Sequence, residues 1–364
     1  MGNSKSGAKG AYVVGLDIGY GSLTVVHGFV ESDQPVVVTM PVGAVPASEA
    51  YLEGVEEPPE GSRFVQIGDK NWVAGIRPSD LPRYRRQMNS GYTSTDAYLA
   101  LFYAALSESH SDTIDVLVTG LPVNLFIERR EEVEKLMTGE HKISDKRTVR
   151  VNKVLVQRQP AGAYYHTLDQ SDESTYDLLR RSSVLVCDGG YFSFDYTLFV
   201  SGRLDPGSAG HNDDAMGRVL KRASELFNQA EGRTVSADRL EAAMIGFIES
   251  FNRIGKSPLS MEDADWEKIS APVIAGPKEI NAAPYIIQAG HELGLKAIGA
   301  AVNAAGLVDI DHVFLAGGTS ILYAKAAKAV LHETHTGAAV FLVPFGIQAV
   351  AMGFHAQALA FASE

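Results

Sequence analysis

Two short segments of the chain combine a carboxylate with glycines directly after an apolar run. The first runs from Asp17 to Ser22 (DIGYGS) and the second from Asp188 to Ser193 (DGGYFS). Glycines allow backbone N–H groups to approach phosphate oxygens closely, and a carboxylate can hold a hydrated Mg²⁺. Either segment alone is also an ordinary turn composition. Together, with matching flanks, they predict a site that grips a triphosphate from both sides.

The elements around these two segments occur twice in the same order. An apolar strand leads into Asp17 or Asp188, a returning strand follows, and helices alternate with further strands. Later in the chain a helix is predicted from Ala275 to Ala305, and a strand from His312 to Ala316 ends in the turn Gly317-Gly318-Thr319. The repeated order predicts two similar α/β domains that face each other across a cleft.

The repeat also sets the expected domain boundaries. Domain I is expected at residues 11–175, together with a C-terminal helix at about 345–364, and domain II at 176–344. Residues from about 41 to 92 are rich in Pro, Gly and charge, and we interpret them as an insertion in domain I. Residues 1–10 are interpreted as a flexible polar N-terminus.

Composition limits the classes of protein that this chain can represent. Its 364 residues suffice for two domains, and 32 Lys+Arg against 44 Asp+Glu give a net charge of −12. Such a surface repels phosphate backbones, so direct nucleic-acid binding is not expected. The single cysteine, Cys187, and the lack of a long apolar segment predict a cytoplasmic protein without a membrane span. The acidic run 261–267 is interpreted as surface, anchored by Trp266.

An ordered set of motifs resembles the actin, sugar-kinase and DnaK-type ATPase superfamily. The motifs are Asp17-x-Gly19, Gly120-Leu121-Pro122, Asp188-x-Gly190 with Asp195 after it, Ala316-Gly317-Gly318-Thr319, and Ala349-x-x-x-Gly353. Within the superfamily, the segments after both aspartates are most similar to bacterial and archaeal actin-like proteins of the ParM/StbA plasmid-segregation type. The resemblance covers residues 11–362. It implies an actin-like (ribonuclease H-like) duplicated α/β fold of two domains, with the nucleotide cleft between them.

The same resemblance implies a site for ATP or GTP with Mg²⁺. Asp17 and Asp188 would lie around the metal and the β- and γ-phosphates, as metal-holding and catalytic residues. The implied nucleotide contacts are Gly19, Tyr20, Gly21 and Ser22 in the first phosphate loop, Gly189, Gly190 and Tyr191 in the second, and Gly317, Gly318 and Thr319 against the nucleoside. Asp213, or its neighbour Asp214, would lie near the ribose.

The resemblance also implies a residue that orients the attacking water. ParM-like proteins place a Glu three residues before Pro-Ala-Gly, where this chain has Gln157, and a second amide, Gln159, precedes Pro160. An amide can orient water but cannot act as a base, so the implied hydrolysis is slow. Two positions depart from the family. Tyr20 stands where a hydroxyl residue is common in the first loop, and Thr24 stands where a lysine is common on the returning strand.

These features predict a polymerising actin-like ATPase, a cytoskeletal filament former for plasmid partition or other DNA segregation. Its expected partners are further copies of itself and a basic DNA-binding adaptor, since the chain's own charge disfavours DNA. Two alternatives stay open. One is a monomeric small-molecule kinase of the same superfamily, and the other is a non-polymerising ATP-binding regulator, which the missing lysine favours.

Overall fold

The computed structural model describes residues 10–32, 34–52, 54–81, 86, 91–306, 308–334 and 337–363. The expected flexible N-terminus lies outside these residues, apart from Gly10. The chain divides into two compact units, of which unit 1 holds residues 1–121, 125–169 and 350–364 and unit 2 holds residues 122–124 and 170–349. The division therefore falls after residues 169 and 349, a few residues from the 175 and 344 expected from the sequence.

Strands and helices alternate along most of the described chain. In chain order the strands are β1 (Tyr12–Ile18), β2 (Ser22–Phe29), β3 (Val36–Pro41), β4 (Gly43–Pro46), β5 (Arg63–Ile67), β6 (Lys70–Ile76), β7 (Thr113–Leu121), β8 (Gly139–Ser144), β9 (Arg147–Arg158), β10 (Ser183–Gly189), β11 (Phe194–Val200), β12 (Arg203–Asn212), β13 (Pro272–Ala275), β14 (Lys278–Asn281), β15 (His312–Ala316) and β16 (Ala339–Leu342). The helices are α1 (Asp96–Glu108), α2 (Val123–Met137), α3 (Gln159–Asp169), α4 (Glu173–Leu179), α5 (Met216–Glu231), α6 (Ala237–Ile254), α7 (Asp263–Trp266), α8 (Ala283–Ala305), α9 (Ser320–Thr334) and α10 (Ala349–Ser363).

The central sheet of unit 1 has the strand order β3-β2-β1-β7-β9-β8. Strand β1 pairs antiparallel with β2 and parallel with β7, which pairs parallel with β9. The carboxyl ends of β1, β7 and β9 therefore lie at one edge of the sheet, the edge at which open α/β sheets bind ligands. Asp17, Gly120 and Gln157 stand near these three strand ends.

Helix α10 packs directly on the backbone of unit 1. A Cβ atom on Gly15 of β1 would lie 2.2 Å from the carbonyl oxygen of Ala351, and a Cβ atom on Gly353 would lie 1.8 Å from that of Gly162 in α3. Both distances are far inside van der Waals contact, so only glycine fits at these crossings. The alanine-rich C-terminal segment is therefore a closely packed helix of unit 1.

Residues of the expected insertion form a small sheet of their own in unit 1. Its three antiparallel strands have the order β4-β6-β5. Val73, Ile76 and Leu81 form a local apolar cluster beneath it. Helix α1, which begins after the N-cap Thr95, packs against β5 and β6 and so joins this small sheet to the rest of the unit.

Unit 2 repeats the arrangement around a five-stranded sheet of order β12-β11-β10-β15-β16. Strand β10 pairs antiparallel with β11 and parallel with β15, as β1 does with β2 and β7 in unit 1. Helices α5, α6, α8 and α9 contribute to its apolar core, in which Phe227, Phe247 and Ile286 are fully buried. The carboxyl ends of β10 and β15 place Asp188 and Gly317 at one edge of this sheet.

The predicted helix from Ala275 to Ala305 is wrong in its first part. Strands β13 and β14 form a hairpin over Pro272–Asn281, and α8 begins only at Ala283. The reason is local, because Gly276 has a φ of +64° and Pro277 follows it, a pair that favours a turn over a helix. Within the described residues, no helix is both long enough and apolar enough to cross a membrane.

Candidate functional site

Each of the two aspartate–glycine segments forms its own loop, and both loops are closed by an equivalent backbone hydrogen bond. In unit 1 the N–H of Gly19 donates to the carbonyl of Ser22 at 2.9 Å, and in unit 2 the N–H of Gly190 donates to that of Ser193 at 3.0 Å. In both hairpins the aspartate pairs with the residue seven positions on, Asp17 with Thr24 and Asp188 with Asp195. The sequence repeat is therefore also a repeat of backbone geometry.

In the first loop, the side chain of Tyr20 is packed against other aromatic rings, so it does not extend into solvent. The Tyr20 ring is 8% exposed and stacks on Tyr92, with ring centroids 4.8 Å apart, and Tyr92 meets Tyr98 edge to face. The amide of Gly19 is engaged inside the loop. If this loop holds an anion, backbone N–H groups are its donors, because the Tyr20 side chain is packed against Tyr92.

The position of the family's lysine is closed to any ligand in this chain. Thr24 is 1% exposed, and its hydroxyl lies 3.2 Å from that of Thr39 on the neighbouring strand β3. The hydroxyl of Tyr98 is buried without a hydrogen-bond partner among the described residues, and burial raises its pKa, with the charge of Asp17 adding to the effect. Beside the first aspartate, the position at which the resembling family commonly has a lysine is therefore occupied by a neutral, buried side chain.

The two candidate amides on β9 and α3 differ in their environment. Gln159 is 8% exposed, and its Nε2 donates to Oδ1 of Asp17 at 2.7 Å. Gln157, two residues earlier, is half-buried on β9 opposite Gly120, and no side-chain hydrogen bond of it is found among the described residues. The structure therefore brings Gln159, and not Gln157, into contact with the first aspartate. Because Nε2 is the donor in this bond, the carbonyl oxygen of Gln159 remains its acceptor for other groups.

The second loop and the glycine turn after β15 are packed into one body. A Cβ atom on Gly189 would lie 1.6 Å from Oγ1 of Thr319, and one on Gly317 would lie 2.5 Å from Oδ1 of Asp188. The N–H of Thr319 donates to the carbonyl of Gly189 at 3.0 Å, and the Thr319 side chain is fully buried. Thr319 therefore acts as packing between the loop and the turn, whereas a Cβ atom on Gly318 would meet only Ile347, at 3.9 Å.

Tyr191 connects the second loop to two helices of unit 2. Its carbonyl accepts from the N–H of Gly217 at the start of α5, at 2.8 Å, and its hydroxyl donates to Glu241 of α6 at 2.9 Å. The exposed Asp213 lies just before α5, while the neighbouring Asp214 is half-buried and paired with Arg218 at 3.1 Å. Of the two candidate ribose contacts, Asp213 is the one whose carboxylate faces solvent.

Asp195, one of the motif residues, is buried and hydrogen-bonded within unit 2. It is 2% exposed, it accepts from the N–H of Val123 at 2.7 Å, and it is also bonded to the hydroxyl of Ser193. Burial raises the pKa of its carboxyl, while these two hydrogen bonds act in the opposite direction. Asp195 thus holds the segment 122–124 and the second loop in place within unit 2.

Sequence reasoning did not single out the apolar residues that follow β16. Phe345 is 58% exposed and has a φ of +65°, a strained conformation for a residue with a side chain. Ile347 is also exposed and lies beside the turn at Gly318. The positive φ is a tertiary property, so only the Pro344-Phe345-Gly346 turn composition could have drawn attention to this segment.

The described residues contain no group of three or more His, Cys, Asp or Glu that could by themselves enclose a metal ion. Mg²⁺ commonly keeps several waters and binds one or two carboxylates together with phosphate oxygens. Each unit offers one half-buried carboxylate at a strand end, Asp17 in unit 1 and Asp188 in unit 2, and a single carboxylate of this kind suits Mg²⁺ that also binds phosphate.

Comparison with known proteins agrees with this geometry. Residues 15–162 match the family model described as the N-terminal domain of actin-like proteins. No curated protein sequence matches the chain. The fold is similar to pCBH ParM, a non-polymerisable quadruple mutant (15% identity, TM-score 0.67, covering 97% of this chain and 99% of that one). It is also similar to Ta0583, an archaeal actin homologue (17%, 0.67, 96% and 99%), and to Bacillus thuringiensis ParM with ATP (12%, 0.63, 98% and 100%).

These similarities extend over nearly the whole of each chain, so the protein has the actin-like α/β fold that its motifs predicted. The matched segment includes the first loop, Gly120 and the start of α3 up to Gly162. The match to the actin-like family model is confined to residues 15–162, while the actin-like fold extends over nearly the whole chain.

Proposed function

We propose that this protein is an ATPase that binds ATP with Mg²⁺ and polymerises into filaments, which move plasmid or other DNA cargo. The observation that carries the proposal is the repeated loop, in which Asp17 and Asp188 end equivalent strands and are followed by the same backbone turn. One such loop is an ordinary hairpin, but its occurrence in both units suits a ligand with several phosphates. Similarity to ParM solved with ATP supports the same choice of ligand.

In this proposal each loop has a defined task. The backbone amides after Gly19 and after Gly190 would bind phosphate oxygens, and the carboxylates of Asp17 and Asp188 would hold Mg²⁺. When bound, Mg²⁺ would supply positive charge next to the phosphates, which Thr24 cannot supply in the place of a lysine. The turn at Gly317 and Gly318 binds the nucleoside, with Asp213 near the ribose, and the side chain of Thr319 remains buried as packing.

Gln159 is proposed as the residue that orients the attacking water, in place of Gln157. Its Nε2 is fixed by Asp17, which directs the carbonyl oxygen away from that carboxylate and leaves it as an acceptor for a water proton. Replacing Gln159 by Ala should slow hydrolysis by roughly 10–1000-fold, the scale of losing one positioning contact. The matched control is Gln157→Ala, which should leave the rate within about twofold. Equal losses in both variants, or a loss in Gln157→Ala alone, would reject this assignment.

Polymerisation is tested by sedimentation and light scattering. We expect assembly to require ATP with Mg²⁺, to show a critical concentration, and to reverse after hydrolysis. Filaments of Gln159→Ala should form with ATP and persist, because the step that triggers their disassembly is slowed. Identical sedimentation with and without nucleotide would remove the filament function while leaving nucleotide binding to be measured separately. The net charge of −12 supports a basic adaptor as the contact to DNA.

A second function is favoured by one specific observation. The returning strand offers the buried Thr24–Thr39 pair instead of a cation, which suits a chain that binds nucleotide without rapid turnover. A non-polymerising ATP-binding regulator would bind ATP and show neither reversible scattering nor a critical concentration. The same sedimentation experiment therefore separates the two functions, since only the filament former pellets in a nucleotide-dependent manner.

A further inference from the structure

A cavity of about 470 Å³ opens on unit 2 at the end of α6, away from the loops described above in sequence. Its polar lining comes from Ser250 and Arg253 of α6, from Lys256 in the following loop, and from Asp265, Lys268 and Ser270 at and after α7. Cavities of this size hold small ligands in many proteins. The lining carries three positive charges and one negative charge, in a chain whose net charge is −12.

Asp265 is the organising group of this cavity. Its side chain is 6% exposed and binds Nζ of Lys256 at 2.7 Å and Nζ of Lys268 at 3.2 Å, while the N–H of Glu262 donates to it at 3.2 Å. The hydrogen bond from Lys256 is the main reason that the pKa of this carboxyl falls to about 2. One buried carboxylate therefore holds two ammonium groups side by side. In the acidic run 261–267, Glu262, Asp263 and Glu267 are exposed as predicted, whereas Asp265 is buried next to Trp266.

The two lysines have donors left after this pairing. An ammonium group has three N–H donors, and each of these is 50–64% exposed at the side chain while using one donor on Asp265. Arg253 adds a guanidinium for which no ion pair is found among the described residues. Among the lining residues alone, Asp265 offsets one of the three cations and leaves two positive charges, although the charge of Glu262 beside the cavity also acts on Lys256.

We infer that this cavity binds a phosphate group carried by a small molecule. The excess of two positive charges matches a phosphate dianion, whereas a carboxylate would leave one of them uncompensated. Guanidinium and ammonium groups together are the side chains that bind phosphate most strongly in proteins. The cavity is larger than a bare phosphate ion, so there is room for the organic part of a phosphate ester. This site is independent of the proposed nucleotide loops.

The test uses the full chain saturated with ADP and Mg²⁺, so that added phosphate does not compete for the nucleotide loops. Inorganic phosphate and O-phosphoserine are titrated separately by calorimetry, with acetate as the carboxylate probe. We expect both phosphates to bind and acetate not to bind. Tighter binding of O-phosphoserine supports an ester as the ligand, whereas tighter binding of inorganic phosphate overturns the ester and assigns the free ion.

Two variants identify the cavity as the site. Arg253→Gln and Lys268→Gln should each weaken phosphate binding by roughly tenfold or more, because each removes one charged hydrogen-bond donor. Lys268→Gln leaves Asp265 with its nearer partner, Lys256, so the fold is retained, which circular dichroism will check. The matched control is Lys325→Gln, which removes an exposed lysine paired with Asp263 outside the cavity. The proposal is overturned if phosphate does not bind, or if Lys325→Gln weakens it as much as the cavity variants do.

Discussion

Acidification from about pH 7.5 to about pH 5 should destabilise unit 1 through two buried histidines, His27 of β2 and His355 of α10. His27 is 1% exposed and His355 is 6% exposed. Burial lowers the pKa of each imidazole from its ordinary 6.5 to about 4, so both are neutral in the folded protein. The Nε2 atom of each is buried without a hydrogen-bond partner among the described residues.

Neighbouring groups change the size of the pKa shift of each histidine without reversing its direction. Nδ1 of His27 is hydrogen-bonded to the Tyr12 hydroxyl at 2.7 Å, and the rings of His27 and His110 are 5.1 Å apart. The charge of His110 lowers the pKa of His27 further, while the charge of Glu108 raises that pKa. For His355, the charge of Asp169 raises the pKa and that of His27 lowers it. Burial is the largest cause for both imidazoles.

The sign and size of the change in stability follow from the linkage between proton binding and folding. Because the folded pKa of about 4 lies below 6.5, the unfolded chain takes up protons over this range that the folded chain does not. Stability is therefore complete above about pH 6.5 and is lost as the pH falls towards 4. At about pH 5 each histidine accounts for a loss of roughly 2 kcal/mol in the free energy of unfolding.

The assay is guanidinium unfolding followed by circular dichroism at both pH values. In His355→Leu, an apolar replacement of similar size, the loss of stability between the two pH values should be smaller by about 2 kcal/mol than in the parent chain. His332→Gln, at an exposed position in the last turn of α9, is the matched control and should leave the pH dependence unchanged. If the pH dependence of His355→Leu equals that of the parent, the imidazole is not held neutral by burial and the reasoning fails.

Three further substitutions test the packing of the loops and of α10. Asp188→Ala should abolish ATP hydrolysis while changing the unfolding free energy by less than about 1 kcal/mol, since the half-buried carboxylate is assigned to metal binding. A collapse of thermal stability in the absence of Mg²⁺ would instead show that Asp188 is a structural residue. Gly189→Ala should impair both nucleotide binding and stability, because its methyl group would overlap Oγ1 of Thr319, and normal nucleotide affinity by fluorescence titration would contradict this. Gly353→Ala should destabilise unit 1 by about 3 kcal/mol or more, measured by chemical unfolding, because its Cβ would overlap the carbonyl of Gly162; an unchanged midpoint would show that α10 can shift.

Local patterns in the sequence were sufficient to predict both aspartate–glycine loops and their positions. A strand, a tight turn and a returning strand involve residues within about ten positions of one another, so their hydrogen bonds depend on nearby residue types. That is why Asp17 and Asp188 were predicted at the ends of β1 and β10, and why the repeat could be recognised before any contact was known. The order of elements predicted two similar α/β domains, and the resemblance of the ordered motifs implied the actin-like fold, which the comparisons confirm.

Only the tertiary structure decided what each neighbouring side chain does. Gln157 and Gln159 are two residues apart, but β9 ends and α3 begins between them, and that change of backbone direction brings Gln159 alone onto Asp17. Tyr20 lies in a loop by sequence, yet its ring packs in the core because Tyr92, far along the chain, offers an aromatic face. Thr319 follows two glycines in the turn, and its burial depends on β10 and β15 being neighbours in the sheet. Backbone turns are decided by adjacent residues, whereas the partners of a side chain depend on segments that meet only after the chain has folded.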